Sequence, residues 1–222
     1  MRHEILNSIS PIKLIAGNLS EKLQSEGKIL ALEQLSPEEI KDIKTGLDTI
    51  HRRASGLSVF LDAYANLYRT PEFKPEPVRI LHLLQRIENL FREEAGHQDT
   101  EISVLCPENE LEHSMDAKMI EQVLINLVKN ALEAVKRQSI RQITLSGKIE
   151  GKEMKLSVED TGTGIPGDQI ESIFVPFFST RESGTGIGLS FSQHIMRMHG
   201  GQIRVSSVPD KGSVFQLCFP EK

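Results

Sequence analysis

Residues 160–190 read DTGTGIPGDQIESIFVPFFSTRESGTGIGLS, and the two glycine clusters in this stretch decide how the rest of the chain is read. The first, Asp160-Thr161-Gly162-Thr163-Gly164, follows an apolar alternation at Met154, Leu156 and Val158. That pattern predicts a strand whose end projects the Asp160 carboxylate under the following loop. A carboxylate there can only accept hydrogen bonds. The second cluster, Gly184-Thr185-Gly186-Ile187-Gly188-Leu189, runs into a helical pattern at Leu189, Ile195, Met196 and Met198. A helix start sets unpaired N–H groups and a positive dipole end beside residues with no side chain, which suits an anion such as a nucleotide phosphate chain. A plain structural turn is the other reading of any one such cluster. The pair carries the nucleotide reading further than either member.

Composition bounds the function. The chain has 222 residues, 38% hydrophobic and 26% charged, as in a globular protein with a sizeable core in one large or two modest domains. A net charge of −5 is no basic footprint, so nucleic acid is not expected as a partner. The two cysteines, Cys106 and Cys218, lie too far apart in sequence for ligand spacing, so a zinc site or disulfide framework has no support and a cytoplasmic, reducing setting is expected. No apolar run is long enough to span a bilayer and no signal peptide opens the chain, so no membrane contact is expected of this portion.

Residues 1–70 read as two helices. Ile5, Ile9, Ile12, Ala16, Leu19 and Leu23 recur at spacings of four and three, as do Ile40, Ile43, Leu47, Ile50, Ala54, Leu57, Leu61, Tyr64 and Tyr68. Ser25-Glu26-Gly27 breaks the first helix, and Ser36-Pro37-Glu38-Glu39 opens the second with a capping serine, a proline at the first helical position and a glutamate three residues after the cap. The result is an antiparallel hairpin. Leu6, Leu14, Val59 and Phe60 are left beside the seam. Pairing with a second copy into a four-helix bundle would cover them, which predicts a homodimer.

His3 and Asn7 lie two residues either side of Ile5, so both face away from the seam, one turn apart, with Glu4 beside His3. A solvated polar face is one reading and chemistry is the other. Pro11 favours chemistry, because it removes the N–H that would bond the Asn7 carbonyl and should kink the helix one turn beyond His3.

Prolines 71, 75 and 77 stiffen residues 71–77 into a linker, after which residues 78–222 alternate irregularly between helix and strand. Helices are predicted over 80–94, 117–136 and 187–198, and strands over 102–105, 142–149, 154–159, 202–206 and 214–219. The fold class is therefore α+β: a helical hairpin followed by an α/β sandwich with one mixed sheet and its helices on one face. On the helix from Ala117 to Lys136, Asn126 and Asn130 fall four apart, away from an apolar face of Val123, Leu124, Leu127 and Ala131. Asparagine is a poor helix former, and its amide oxygen suits a hard cation such as Mg²⁺ on phosphates.

At this point a family resemblance covers nearly the whole chain. His3-Glu4-Ile5-Leu6-Asn7 resembles the phosphoacceptor box of bacterial two-component sensor histidine kinases, and Asn126-Leu127-Val128-Lys129-Asn130-Ala131 resembles their N box. Asp160 to Gly164, Phe174-Val175-Pro176-Phe177-Phe178 and Gly184 to Leu189 are similar to the first glycine box, the F box of the lid and the second glycine box. The resemblance implies a GHKL-type ATP-binding fold, a response regulator receiver domain as partner, and ATP with Mg²⁺ as cofactors. It implies His3 as phosphoacceptor, Glu4 as its base or hydrogen-bond partner, and Asn7 in dephosphorylation of the regulator. Asn130 becomes the Mg²⁺ ligand and Asp160 the reader of the adenine amino group. Asn126, Ala134, Gly162, Gly164, Ile165, Thr180, Gly184, Gly186, Ile187, Gly188, Leu189 and Ser213 complete the implied nucleotide contacts.

Rival readings are separated by single residues. ATP hydrolases of the same superfamily place a water-activating glutamate where this chain has Asn126, and an amide is no general base. Protein-serine kinases of that superfamily lack the hairpin. A scaffold without activity would have no use for His3, Asn130, Asp160 and both glycine clusters together. Because His3 stands at the start of the sequence, a sensor portion, with membrane anchoring in the full-length protein, is expected upstream.

Overall fold

The computed structural model describes residues 12–21, 23–25, 28–29, 35–68, 73–179 and 186–220. The chain divides into two compact units, Met1–Arg69 with Val175–Ile187, and Thr70–Phe174 with Gly188–Lys222.

In the first unit a helix over 12–21 (α1) is followed by a small antiparallel ladder of β1 (Gln24–Ser25) and β2 (Lys28–Ile29), and the chain returns as α2 (Pro37–Tyr68). The described helical residues end at Glu21, earlier than the break expected at Ser25, and Leu23, expected in the helical seam, lies in a turn. The cap of α2 forms as its sequence dictates. Glu39 N–H donates to Ser36 Oγ at 3.2 Å, while Ser36 N–H and its hydroxyl both donate to Glu39 Oε2 at 2.8 Å, a reciprocal box that satisfies the first-turn donors. The helices meet where Leu19 lies over Gly46, whose missing Cβ would stand 3.0 Å from the leucine methyls. Leu19 and Leu35 are buried, but Leu14, Ile40 and Leu47 remain exposed. A single hairpin leaves part of the predicted seam uncovered.

The second unit opens with β3 (Glu76–Arg79), paired antiparallel with β5 (Glu112–Met115) from Glu76↔Met115 to Arg79↔Glu112. Glu76 and Pro77, read from sequence as the end of a stiff linker, are the first rungs of this ladder. Proline is tolerated because the sheet has two strands only, so a missing donor can face outward. Then follow α3 (Ile80–His97), β4 (Glu101–Leu105), α4 (Ala117–Val135), β6 (Gln142–Glu150), β7 (Glu153–Asp160), α5 (Gly188–Met198), β8 (Gln202–Val208) and β9 (Gly212–Pro220). One mixed sheet runs in the order β4-β6-β7-β9-β8, parallel only at β4–β6.

Alternation settles the layers. Met154, Leu156 and Val158 of β7 and Phe215, Leu217 and Phe219 of β9 share a buried face with Ile143 and Leu145 of β6. Onto it pack Leu83, Leu84 and Ile87 of α3, Ile120, Leu124 and Leu127 of α4, and Ile195 and Met196 of α5. The opposite face is polar. There Arg204 grips Glu153 with two bonds of 2.7 and 2.8 Å, and Lys155 pairs with Glu150 at 2.9 Å. Beside these charges Cys218 is buried, and burial pushes its thiol above the usual range.

Candidate nucleotide site

The site grows from the last rung of the buried face. Asp160 pairs with Ile143 on one side and Ser213 on the other, so its carboxyl ends the same row as Met154, Leu156 and Val158. It is only 5% exposed. Its Oδ1 accepts the Gly162 N–H at 2.8 Å, a turn that folds the loop back over the strand end. Gly162 is small of necessity: a Cβ would stand 2.6 Å from the Cβ of Ala134 on α4. Thr163 N–H then donates to the Ala134 carbonyl at 3.2 Å, tying the loop to the helix that carries both asparagines.

Gly164 turns the loop toward β8. Its φ is +66°, and a side chain would strike the Val208 carbonyl oxygen at 2.1 Å, so both backbone conformation and space demand glycine. Ile165 N–H donates to Ser207 Oγ at 2.8 Å, and Ser207 Oγ donates to the Gly212 carbonyl at 2.9 Å. Ser207 and Ser213 are paired rungs whose hydroxyls lie 2.9 Å apart. With the Ser207 proton committed to Gly212, the Ser213 hydroxyl must donate to Ser207, which leaves Ser213 able to accept but not to donate toward a ligand.

The helix α4 forms the other wall. Asp116 caps it, with Oδ1 accepting the Met119 N–H at 3.2 Å. Asn126, Asn130 and Ala134 follow at steps of four and are half-buried, while Leu127 and Ala131 point into the core. Asn130 is engaged within the protein. Asn126 Nδ2 donates to Ser192 Oγ on α5 at 3.1 Å. Ser192 in turn donates to the Gly188 carbonyl at 2.9 Å. Leu189 packs partly buried against the core.

Residues 115–222 match the family described as Histidine kinase-, DNA gyrase B-, and HSP90-like ATPase. The catalytic domain of histidine kinase ThkA, in a nucleotide-free form, superposes with a TM-score of 0.61 at 31% identity, covering 67% of this chain and 96% of that domain. The chain belongs to the sensor histidine kinase family. It is also similar to sensor histidine kinase ZraS of Salmonella typhi, at 32% identity over 98% of this chain, and spans 44% of that protein's length. The crystal structure of ThkA in complex with response regulator protein TrrA matches 98% of this chain and 60% of that one, with a TM-score of 0.62 at 24% identity, a likeness of fold.

Within the first unit, Phe177 and Gly186 lie against each other. Phe177 N–H donates to the Gly186 carbonyl at 2.8 Å, Gly186 has a φ of +68°, and a Cβ there would meet the Phe177 carbonyl carbon at 2.5 Å. Phe177 itself sits at φ +69°, uncommon for a bulky residue. Ile187 is buried. His3, Glu4, Asn7, Thr180 and Gly184 lie outside the described residues.

Three contributors were not legible as site residues. Ser207 and Ser192 support the glycine loops, and His199 joins elements far apart in sequence. Asp116 N–H donates to His199 Nε2 at 3.1 Å, so the ring is the tautomer whose Nδ1–H donates to the Ile195 carbonyl at 2.8 Å. Phe73 and His199 meet with their rings perpendicular and centroids 4.8 Å apart, and Lys74 N–H donates to Asp116 Oδ2 at 3.3 Å. The start of α4, the end of α5 and the entry strand are thus tied at one knot. Its parts are single residues with no motif spacing, so only the packing of the fold brings them together.

The cradle fits a nucleotide on its own geometry. A buried acceptor lies at a strand end, and the glycine positions around it would be filled by any Cβ. Among the described residues no group of three or more His, Cys, Asp or Glu could hold a metal alone. A hard cation at Asn130 would therefore take most of its ligands from phosphate oxygens and water, as Mg²⁺ does in such sites.

Proposed function

We propose that the chain is the phosphotransfer and ATP-binding portion of a protein histidine kinase that phosphorylates itself on His3 and passes the phosphoryl group to an aspartate of a response regulator receiver domain. The observation that carries this reading is Asp160, a buried carboxylate closing the apolar row of β7 under a glycine loop braced on α4. Adenine offers its amino group as the donor such an acceptor needs. Residues 1–70 act as the dimerisation and phosphotransfer hairpin, and the catalytic domain begins with β3 at Glu76, so that the linker expected over 71–77 ends before that strand. ThkA, a family relative, is known in complex with a response regulator, which supports the choice of partner.

In this reading Asp160 holds the adenine, and Ser213 accepts from a water at its edge. Gly162, Gly164 and Ile165 would close over the base, and Gly188 and Leu189 would lie along the phosphates. Asn130 would hold Mg²⁺, which neutralises the phosphate charge during transfer. The neutral imidazole of His3 attacks the γ-phosphorus, Glu4 accepts the ring proton, and ADP leaves as the γ-phosphoryl bond to it breaks. Positioning and charge neutralisation supply most of the rate. The exposed Leu14, Ile40 and Leu47 support a homodimer that covers them. Free thiols at Cys106 and Cys218 support a cytoplasmic setting, and no helix among the described residues is long and apolar enough to cross a membrane.

Incubation with γ-labelled ATP tests the reading. Wild type should yield an acid-labile, base-stable phosphoprotein, and His3→Ala should give none while still binding ATP. Equal labelling of His3→Ala would overturn the acceptor assignment. Asn7→Ala should keep self-phosphorylation within a few fold yet lose roughly 10²-fold of the phosphatase rate toward the phosphorylated regulator, since Asn7 would orient the attacking water. A phosphatase rate that survives the substitution removes Asn7 from the site.

A further inference from the structure

The carboxamide of Asn126 is already occupied by the protein. Its Nδ2 donates to Ser192 Oγ at 3.1 Å, and the Ser192 hydroxyl, fully buried, donates onward to the Gly188 carbonyl at 2.9 Å. The carboxamide also fixes what can stand at the first residue of α5. A Cβ on Gly188 would meet Asn126 Oδ1 at 2.1 Å, its Cγ at 2.8 Å and its Nδ2 at 2.9 Å, and these three atoms are the nearest obstacles there. The backbone of Gly188 has no positive φ, and it begins a helix, so alanine would otherwise be welcome. An alanine at 188 would have to push the Asn126 carboxamide away from Ser192, so glycine there leaves that bond in place.

We propose that Asn126 is a positioning residue, which pins the first turn of α5 to α4 through Ser192 and so sets the phosphate-binding end of α5, rather than touching nucleotide itself. The proposal rests on the nucleotide reading given above. The chemistry is a chain of single protons. A donor at position 126 adds a bond to the Ser192 oxygen and leaves the Ser192 proton on the Gly188 carbonyl, whereas an acceptor there would compete for that proton, and the carboxamide supplies the donor. Loss of any link frees α5 to shift its N–H groups away from the phosphates they would face.

Nucleotide affinity measured in a mutant cycle on the full chain tests this, with ADP as the probe and EDTA present so that no turnover or metal binding intervenes. Asn126→Ala and Ser192→Ala should each weaken ADP binding roughly three- to tenfold, the worth of one net hydrogen bond. The double variant should be no worse than the weaker single. Gly188→Ala should cost as much in the wild-type background and nothing further on top of Asn126→Ala, which removes the obstructing carboxamide. Multiplying losses in either pair would mean that Asn126 contacts the nucleotide directly, and the proposal falls. Thermal melts check folding of each variant; if Asn126→Ala does not fold, the Ser192→Ala and Gly188→Ala pair poses the same question, because both act on one tie. A wild-type chain that binds no ADP removes the nucleotide reading and this inference with it, whereas multiplying losses remove the inference alone.

Discussion

Asp160 is held from two sides, by the Gly162 N–H on its Oδ1 and by the ladders that seat its backbone between Ile143 and Ser213. Asp160→Asn keeps the shape but places a donor where an acceptor is needed, and either the Gly162 bond or the base contact must go. The expected loss in ATP binding is on the order of 2–4 kcal/mol, read by calorimetric titration. Asn130→Ala should weaken ATP binding when Mg²⁺ is present and leave binding in EDTA nearly unchanged; an equal loss in both would end its role as a metal ligand. Asp160 was legible because alternation from Met154 carries straight to it, and period two leaves no doubt about the face. Ser207 was not. Its role comes from pairing with Ser213 and from a loop donor, Ile165 N–H, 42 residues away in sequence, neither of which has a sequence period.

At the scale of elements, local chemistry was readable wherever it is confined to neighbours in the chain. The Ser36–Glu39 box is such a case, complete within four residues. Ser36→Ala should cost about 1 kcal/mol of stability, visible as a lowered denaturation midpoint, and Ser36→Asp should recover most of it. Helices α3, α4 and α5 were likewise announced by their apolar periodicity. The β3–β5 pair was obscured by Pro75 and Pro77, which argue against strand when the partner is unknown. The exposure of Ile40 and Leu47 shows the same limit from the other side: heptad spacing names a seam without saying which chain fills it.

For the whole molecule, that uncovered seam is where the proposed homodimer is tested. Leu47→Glu places a charge in the middle of it, and light scattering of the purified chain should change from the mass of two copies to that of one. An unchanged dimer would move the interface elsewhere. The entry ladder has a different consequence, for how the second unit answers a load on its first strand. Glu76 and Met115 are the outermost pair, and the chain enters β3 at the same end at which β5 leaves for α4. A load applied there peels the ladder rung by rung, as a zip opens, instead of shearing all rungs together. Such a geometry yields at low force. The Phe73–His199 ring contact and the Lys74–Asp116 bond sit just before the first rung, and both lead to the start of α4, where Asp116 N–H donates to His199 Nε2 and Asp116 Oδ1 caps the helix.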